Sequence, residues 1–179
     1  VTEAIADRVA PLADGIPAET FAQLYERTSE RVYAYVASLL QDRAAAEDVT
    51  AQAFERAYRK RRSFRARRGS PEGWLFGIAR NVALDELRRR RRHAAHEPGE
   101  LVDDVPAAED HAELALRREV VRRALSQLEP RERDLVALKF MGGLSNAEIS
   151  RVLGTSESNT GTRLHRTIKK LREACDDRA

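Results

Sequence analysis

Seven of the ten residues in RKRRSFRARR (Arg59–Arg68) are cationic and one, Phe64, is aromatic. Lysine and arginine bind phosphates by displacing counterions, and an irregular cationic loop with an aromatic ring can hold an unstacked base. A second run, Arg88–Arg92, places five arginines in a row. Cations suit a helix C-terminus, but five exceed what capping requires. Between the two runs, Asn81 and Asp85 stand four apart on one face of an expected helix. Both side chains can hydrogen-bond the edge of an exposed base. A third group lies in LSNAEISRVLGTSESNTGTRLHRTIKKLR (Leu144–Arg172). Ile149, Val152 and Leu153 mark a short helix, Gly154 breaks it, and Leu164, Ile168 and Leu171 mark a second. The other faces of that second helix carry Arg163, His165, Arg166, Lys169 and Lys170. Two short helices around a glycine turn, the second one basic, form a helix-turn-helix suited to a major groove.

Other chemistries find little support. No P-loop, nucleophile elbow or HExxH motif occurs, and Gly142-Gly143 reads as a helix stop. The chain is therefore read as non-enzymatic and without a cofactor. Cys175 is alone, which excludes a disulfide framework and a cysteine-based zinc site. His93, His96 and Glu97 have metal-ligand spacing only if helical, and in an acidic, Pro/Gly-punctuated stretch they read as solvated linker. No run approaches the ~20 apolar residues of a membrane span. Val1–Ala10 lacks a signal-peptide pattern, so a soluble, cytoplasmic protein is expected.

These residues need helices to position them. Ala, Leu, Arg and Glu dominate while Gly (9) and Pro (6) are sparse, which favours helix over sheet. Apolar residues recur at helical spacing over 18–40 (Phe21, Leu24, Tyr25, Val32, Val36, Leu40), about 44–61 (Val49, Ala53, Phe54, Ala57) and about 71–91 (Leu75, Ile78, Val82). Arg62–Gly73 has lost that period and reads as a loop. Helices resume near Glu109: Leu114, Leu116, Val121, Leu125 and Leu128 lead to Pro130, which starts a helix holding Leu135, Val136 and Phe140. Charge divides the chain in the same way. Residues 18–92 carry 17 basic and 10 acidic side chains, residues 117–179 carry 14 and 9, and residues 93–116 hold seven acids and no Lys or Arg. The expectation is an all-α protein of two small domains. A leader (1–17) precedes an N-terminal bundle of three or four helices (18–92). A flexible acidic linker (93–111) joins it to a C-terminal four-helix domain (112–175) ending in the helix-turn-helix. Both basic domains would bind polyanions.

FRARRGSPEGWLFGIARNVALDELRRRR resembles the promoter-melting part of bacterial extracytoplasmic-function sigma factors. AEDVTAQAFERAYR (Ala46–Arg59) is similar to the helix by which that family grips RNA polymerase, and LSQLEPRERDLVALKF (Leu125–Phe140) with the helix-turn-helix looks like its upstream promoter domain. The resemblance covers about Phe21–Arg92 and Ala112–Arg172 and implies partners: core RNA polymerase, the melted single strand of the −10 element and the −35 duplex. Many members are held by anti-sigma proteins, so such an inhibitor is a further candidate partner. Carried over by residue, the resemblance puts Asp48, Gln52 and Arg56 on polymerase, with Phe54 packing their helix. It puts Phe64, Arg65 and the loop through Arg67 and Arg68 to Pro71 around a flipped −10 base, with Asn81, Asp85 and Arg88 lining that pocket or holding the strand beside it. Asn159, Thr162, Arg163, His165 and Arg166 fall at the −35 duplex, and the acidic linker would thread the polymerase cleft. Two departures stand out. Ala51-Gln52 replaces the usual Gln-Glu, and Thr160-Gly161 replaces a Val and a basic residue. A helical Gly costs about 1 kcal/mol relative to Ala, and Gly161 is expected to remove a groove contact. A stand-alone helix-turn-helix regulator would explain the C-terminal domain equally well but leaves the Asp48 helix and the arginine loop without a purpose. A scaffold that only sequesters a partner is the remaining reading.

Overall fold

The first helix begins just after Pro17 and buries Phe21, Leu24, Thr28, Val32, Tyr35, Val36 and Leu40 along one stripe. In the computed structural model, which describes residues 14–94 and 120–176, this helix is α1 (Ala18–Leu40). It ends where Gln41 takes a left-handed conformation (φ 53°). Asp42 then opens α2 (Arg43–Lys60), its carboxylate accepting the Ala45 N–H at 3.0 Å. That bond satisfies one of the orphan donors of the first turn, and it is the chief reason the Asp42 carboxyl sits below its ordinary range. α2 turns Ala46, Val49, Ala53, Phe54 and Ala57 inward. Two short 3-10 turns (Arg61–Ser63 and Ala66–Arg68) carry the chain through the arginine-rich loop to α3 (Pro71–Ala94). α3 buries Leu75, Phe76, Ala79, Val82 and Ala83 against α1 and α2.

The second half follows the same logic with shorter elements. A helix over 120–126, here α4, leads to α5 (Pro130–Phe140), which has proline at its first turn. α6 (Asn146–Leu153) starts with a reciprocal cap: the Ser145 hydroxyl accepts the Glu148 N–H (3.2 Å), while Glu148 accepts the Ser145 N–H (2.8 Å). It stops at Gly154, whose φ of 65° is inexpensive only for a residue without Cβ. α7 (Glu157–Asp176) packs across α6 and α5. Among the described residues there are seven α-helices and no strand, and no helix is long and apolar enough to cross a membrane. The two halves share one core. Leu135, Ala137, Leu138, Leu144, Ile149 and Leu164 join the cluster built on α1–α3.

Several expectations need correction. The leader was placed at 1–17, yet its end is tied down. Ile16 is buried, the Gly15 N–H donates to the Phe64 carbonyl (2.9 Å) and the Ile16 N–H to the Arg61 carbonyl (2.9 Å). Residues 1–13, the linker from 95 on, the apolar positions Leu114 and Leu116, and the His96–Glu97 pair lie outside the described residues. Tyr25, Val121 and Phe140 were expected in apolar stripes but are exposed, at 51%, 49% and 60%. Tyr25 rests only its ring edge on Phe54, and Phe140 sits on the last turn of α5, past the part that faces the core.

Much of the Arg88–Arg92 run is braced within the protein. Arg88 pairs with Asp85 (2.9 Å), Arg89 and Arg90 pair with Glu86 (2.7 and 2.8 Å), and Arg90 reaches across to Asp42 (2.9 Å). Hydrogen bonds from Arg89, with further help from Arg90, hold the Glu86 carboxyl at about 2. A depressed carboxylate contributes stability that is present above its unfolded pKa and lost as pH falls through the folded one. Glu86→Gln should therefore cost about 1 kcal/mol near neutrality, as partly exposed pairs allow. That difference from the native protein should vanish between pH 4.5 and 2, read from urea midpoints across that range.

Candidate nucleic-acid interface

The arginine loop is held both by backbone hydrogen bonds from the segment before α1 and by its own guanidinium groups: Arg65 pairs with Asp14 (3.4 Å) and Arg61 donates to the Tyr58 carbonyl (2.9 Å). Gly15 and Ile16 clamp the Phe64 and Arg61 carbonyls, and Phe64 inserts into the core at 2% exposure. Its ring meets Trp74 edge-on, with centroids 5.7 Å apart. Phe64 thus supports Trp74 and, where the resemblance puts it beside a flipped base, also contributes to the wall of the adjoining cavity. Above this pair lies a cavity of 480 Å³. Its wall includes Lys60 at the end of α2, Arg65 and Arg68 from the loop and Trp74, Ile78 and Asn81 from α3. Cations, a half-buried indole and an exposed amide around one cavity can stack a base, hydrogen-bond its edge and neutralise the adjoining phosphates. Ser70 caps α3 by accepting the Gly73 N–H (3.0 Å), which fixes where the loop ends and the reading face begins.

The expected −10 residues do not all meet here. Phe64, Arg65 and Arg68 line the cavity with Asn81. Arg67 is exposed on the 3-10 turn beside it, outside the lining. Asp85 and Arg88 pair with each other further along α3. They continue the face of Trp74, Ile78 and Asn81 at helical spacing, beside the cavity rather than in its wall. Trp74 is a wall residue that the apolar spacing of α3 does not single out. The signal is its position two turns before Asn81 and next to a cationic loop, and only the packing of Phe64 against it distinguishes a wall from a core.

On α2, Asp48, Gln52 and Arg56 form an exposed column at i, i+4 and i+8, opposite the buried Val49, Ala53, Phe54 and Ala57. Ala51 is exposed beside them. On α7, the inward positions are Thr160, Leu164 and Thr167. The two threonine hydroxyls return hydrogen bonds to the carbonyls of Ser156 (3.0 Å) and Arg163 (2.9 Å). Asn159, Thr162, His165 and Arg166 are exposed, and Arg163 is half-buried. Thr160 is therefore a core position and contributes no groove contact. A Cβ on Gly161 would meet only the Asn146 side chain, at 3.7 Å, so packing does not require glycine there.

A cation-lined cavity beside the arginine loop and a basic helix-turn-helix are the features of a nucleic-acid-binding protein. Comparison with known proteins narrows this class. The Sigma-70 region 2 family matches residues 24–93, and the Sigma-70, region 4 family matches residues 118–171. The ECF RNA polymerase sigma factor BldN of Streptomyces coelicolor is 32% identical over 165 residues, which cover 90% of this chain and 62% of that protein's length. SigK of Mycobacterium ulcerans, also an ECF RNA polymerase sigma factor, is 30% identical over 164 residues, 88% of this chain and 87% of that protein. The fold also matches the sigma factor RpoE in complex with the anti-sigma factor NepR from Bartonella quintana. That match has a TM-score of 0.74 and 23% identity, and covers 90% of this chain and 100% of RpoE. CnrH in complex with the cytosolic domain of CnrY matches with a TM-score of 0.66 and 25% identity, over 91% of this chain and 92% of the other. The chain belongs to the ECF sigma factors.

Proposed function

We propose that this sigma factor joins core RNA polymerase in the cytoplasm and directs it to promoters, region 2 capturing the melted −10 strand and region 4 holding the −35 duplex. The observation that carries the reading is the convergence of Arg65, Arg68, Trp74 and Asn81 on one cavity. A cavity that offers an indole face, an amide and guanidinium groups can stabilise an unstacked base and so offset part of the cost of melting. The exposed Asp48–Gln52–Arg56 column supports α2 as the polymerase-facing helix. Asn159, Thr162, Arg163, His165 and Arg166 lie at successive turns of α7, which supports that helix as the one entering the −35 major groove. The acidic linker would run through the polymerase, and an anti-sigma protein would regulate the factor, a reading supported by the RpoE structure, in which that sigma factor is in complex with the anti-sigma factor NepR.

The test is transcription in vitro with core polymerase plus this protein, with every transcript sequenced. Starts that share upstream sequence are expected. A protein that neither co-purifies with core polymerase nor changes where transcripts begin refutes the proposal. Within it, Arg166→Ala should weaken −35 binding by about fivefold or more, the lower end expected for one lost groove contact. A footprint of unaltered strength over the upstream element would remove Arg166 from the site.

A further inference from the structure

The turn of the helix-turn-helix carries a hydroxyl that the −35 reading leaves unused. Thr155 follows the Gly154 stop, and its N–H donates to the Ser150 carbonyl (2.9 Å), which fixes the turn to α6. Ser156 then caps α7, its hydroxyl accepting the Asn159 N–H at 3.2 Å. The Thr155 hydroxyl accepts from the side chain of the same residue, Asn159 Nδ2, at 2.8 Å. Asn159 is thus held twice, by its backbone and by its amide, although its side chain is exposed. Ordering an exposed side chain costs rotamer entropy. The packing of α7 does not ask for it, since the buried positions of that helix are Thr160, Leu164 and Thr167.

The bond to Thr155 has a chemical consequence. A primary amide has two N–H donors and one carbonyl oxygen. With one N–H on Thr155, the other N–H and Oδ1 remain for the groove as one donor and one acceptor. That pair matches adenine, whose major-groove edge offers the N7 acceptor and the N6 amino donor, whereas guanine offers two acceptors. Thr162 lies three residues on, on the same face of α7. Its hydroxyl donates to the Ser158 carbonyl (3.0 Å), so its proton is spent within the helix and its methyl group is what remains to offer. Thymine is the base that carries a methyl in the major groove. Between the two readers stand the buried Thr160 and Gly161, which has no side chain to compete with them. Three residues of helix rise about 4.5 Å, one to two base-pair steps of about 3.4 Å.

We propose that Thr155 is a positioning residue for promoter specificity: it presents the Asn159 amide as an adenine reader, while the Thr162 methyl selects a thymine one or two base pairs away. The inference rests on the −35 reading above. It adds the bases this chain prefers at that element, and a residue outside the groove contacts that sets one of them.

The experiment uses holoenzyme assembled from core polymerase and the full chain, on a promoter found by transcript sequencing. Each upstream position is varied through the four base pairs, and the templates compete in one reaction. The wild type should favour adenine at one upstream position by about 5- to 150-fold, the range of one bidentate base contact. Asn159→Ala should abolish that preference. Replacing this adenine by 7-deazaadenine, which carries C–H in place of N7, should lower the wild-type yield and leave the Asn159→Ala yield unchanged. Thr155→Val keeps the shape and removes the hydroxyl. It should shrink the adenine preference by about two- to tenfold, the worth of one neutral hydrogen bond, whereas Thr155→Ser should keep it. Uracil in place of the neighbouring thymine should cost the wild type about fourfold, the worth of one buried methyl group. Thr162→Ser should be indifferent to that exchange, and Thr162→Val should still detect it. A guanine or thymine preference at the position that Asn159→Ala affects, or an adenine preference that Thr155→Val leaves intact, overturns the inference while the promoter reading stands. A holoenzyme whose starts share no upstream sequence refutes the promoter reading, and the inference with it.

Discussion

Replacing Asn81 by alanine is expected to reduce promoter opening by about 5- to 150-fold, the range that about 1–3 kcal/mol of lost base-edge hydrogen bonding represents. Asn81 is exposed and lines the cavity on the same α3 face as Trp74 and Ile78, so its amide is not needed for packing and the variant should fold normally. The effect should be confined to the melted state. Asp48, Gln52 and Arg56 lie on a different helix, so affinity for core polymerase should be unchanged. Permanganate reactivity of unpaired thymines at a cognate promoter, set beside polymerase binding by anisotropy, reads both quantities. Wild-type opening would remove Asn81 from base recognition. Equal losses in both assays would mean that the substitution acts through folding instead. A loss of about fivefold or more in opening alone would leave Trp74 as the next residue to change, because it supplies the stacking face and Asn81 the hydrogen-bonding edge.

The largest stability effect is expected at Phe76. The side chain is fully buried on α3, its ring meets Tyr35 edge-on at 5.6 Å, and the Arg31 guanidinium stands 5.8 Å from its centroid. Phe76→Ala should destabilise the protein by about 3–5 kcal/mol, the usual cost of removing a buried phenylalanine and leaving a cavity. That is a large part of the total for a domain of ordinary stability and should lower the melting temperature by roughly 10 °C. Phe76→Leu, which keeps much of the volume, should lose less than about half as much. Tyr35 and Arg31, the neighbours of Phe76, also bind α5 and the Gly142 turn, so the damage should not stay in region 2. Hydrogen exchange should accelerate together in α1, α3 and α5. A loss confined to α1–α3, with α5 protection retained, would contradict the shared core.

Within single elements the chain was largely self-describing. The apolar spacing of α1, α2 and α3, the glycine stop at 154 and the proline at the start of α5 are properties of a few consecutive residues. Helical periodicity and cap chemistry act over one to three turns, and a reader of the chain has the same information as the folding backbone. The family resemblance has the same origin. The motifs of Ala46–Arg59 and Gly73–Arg90 are local strings, and the family matches over 24–93 and 118–171 agree with where those strings lie.

What only the tertiary structure decided is which charges are partners and which aromatics are walls. Nothing local marks Asp134, inside the charged segment RERD, as a buried acceptor, because its partners lie 99 and 54 residues away at Tyr35 and Arg80. The arginine run that looked free for phosphate is partly spent on Glu86 and Asp42 for the same reason, and Trp74 becomes a wall of the cavity because the Phe64 ring meets it edge-on from the core. A side chain's period fixes the face it occupies. The identity of whatever meets that face depends on how several helices cross, and that is set by the collective fit of the whole core.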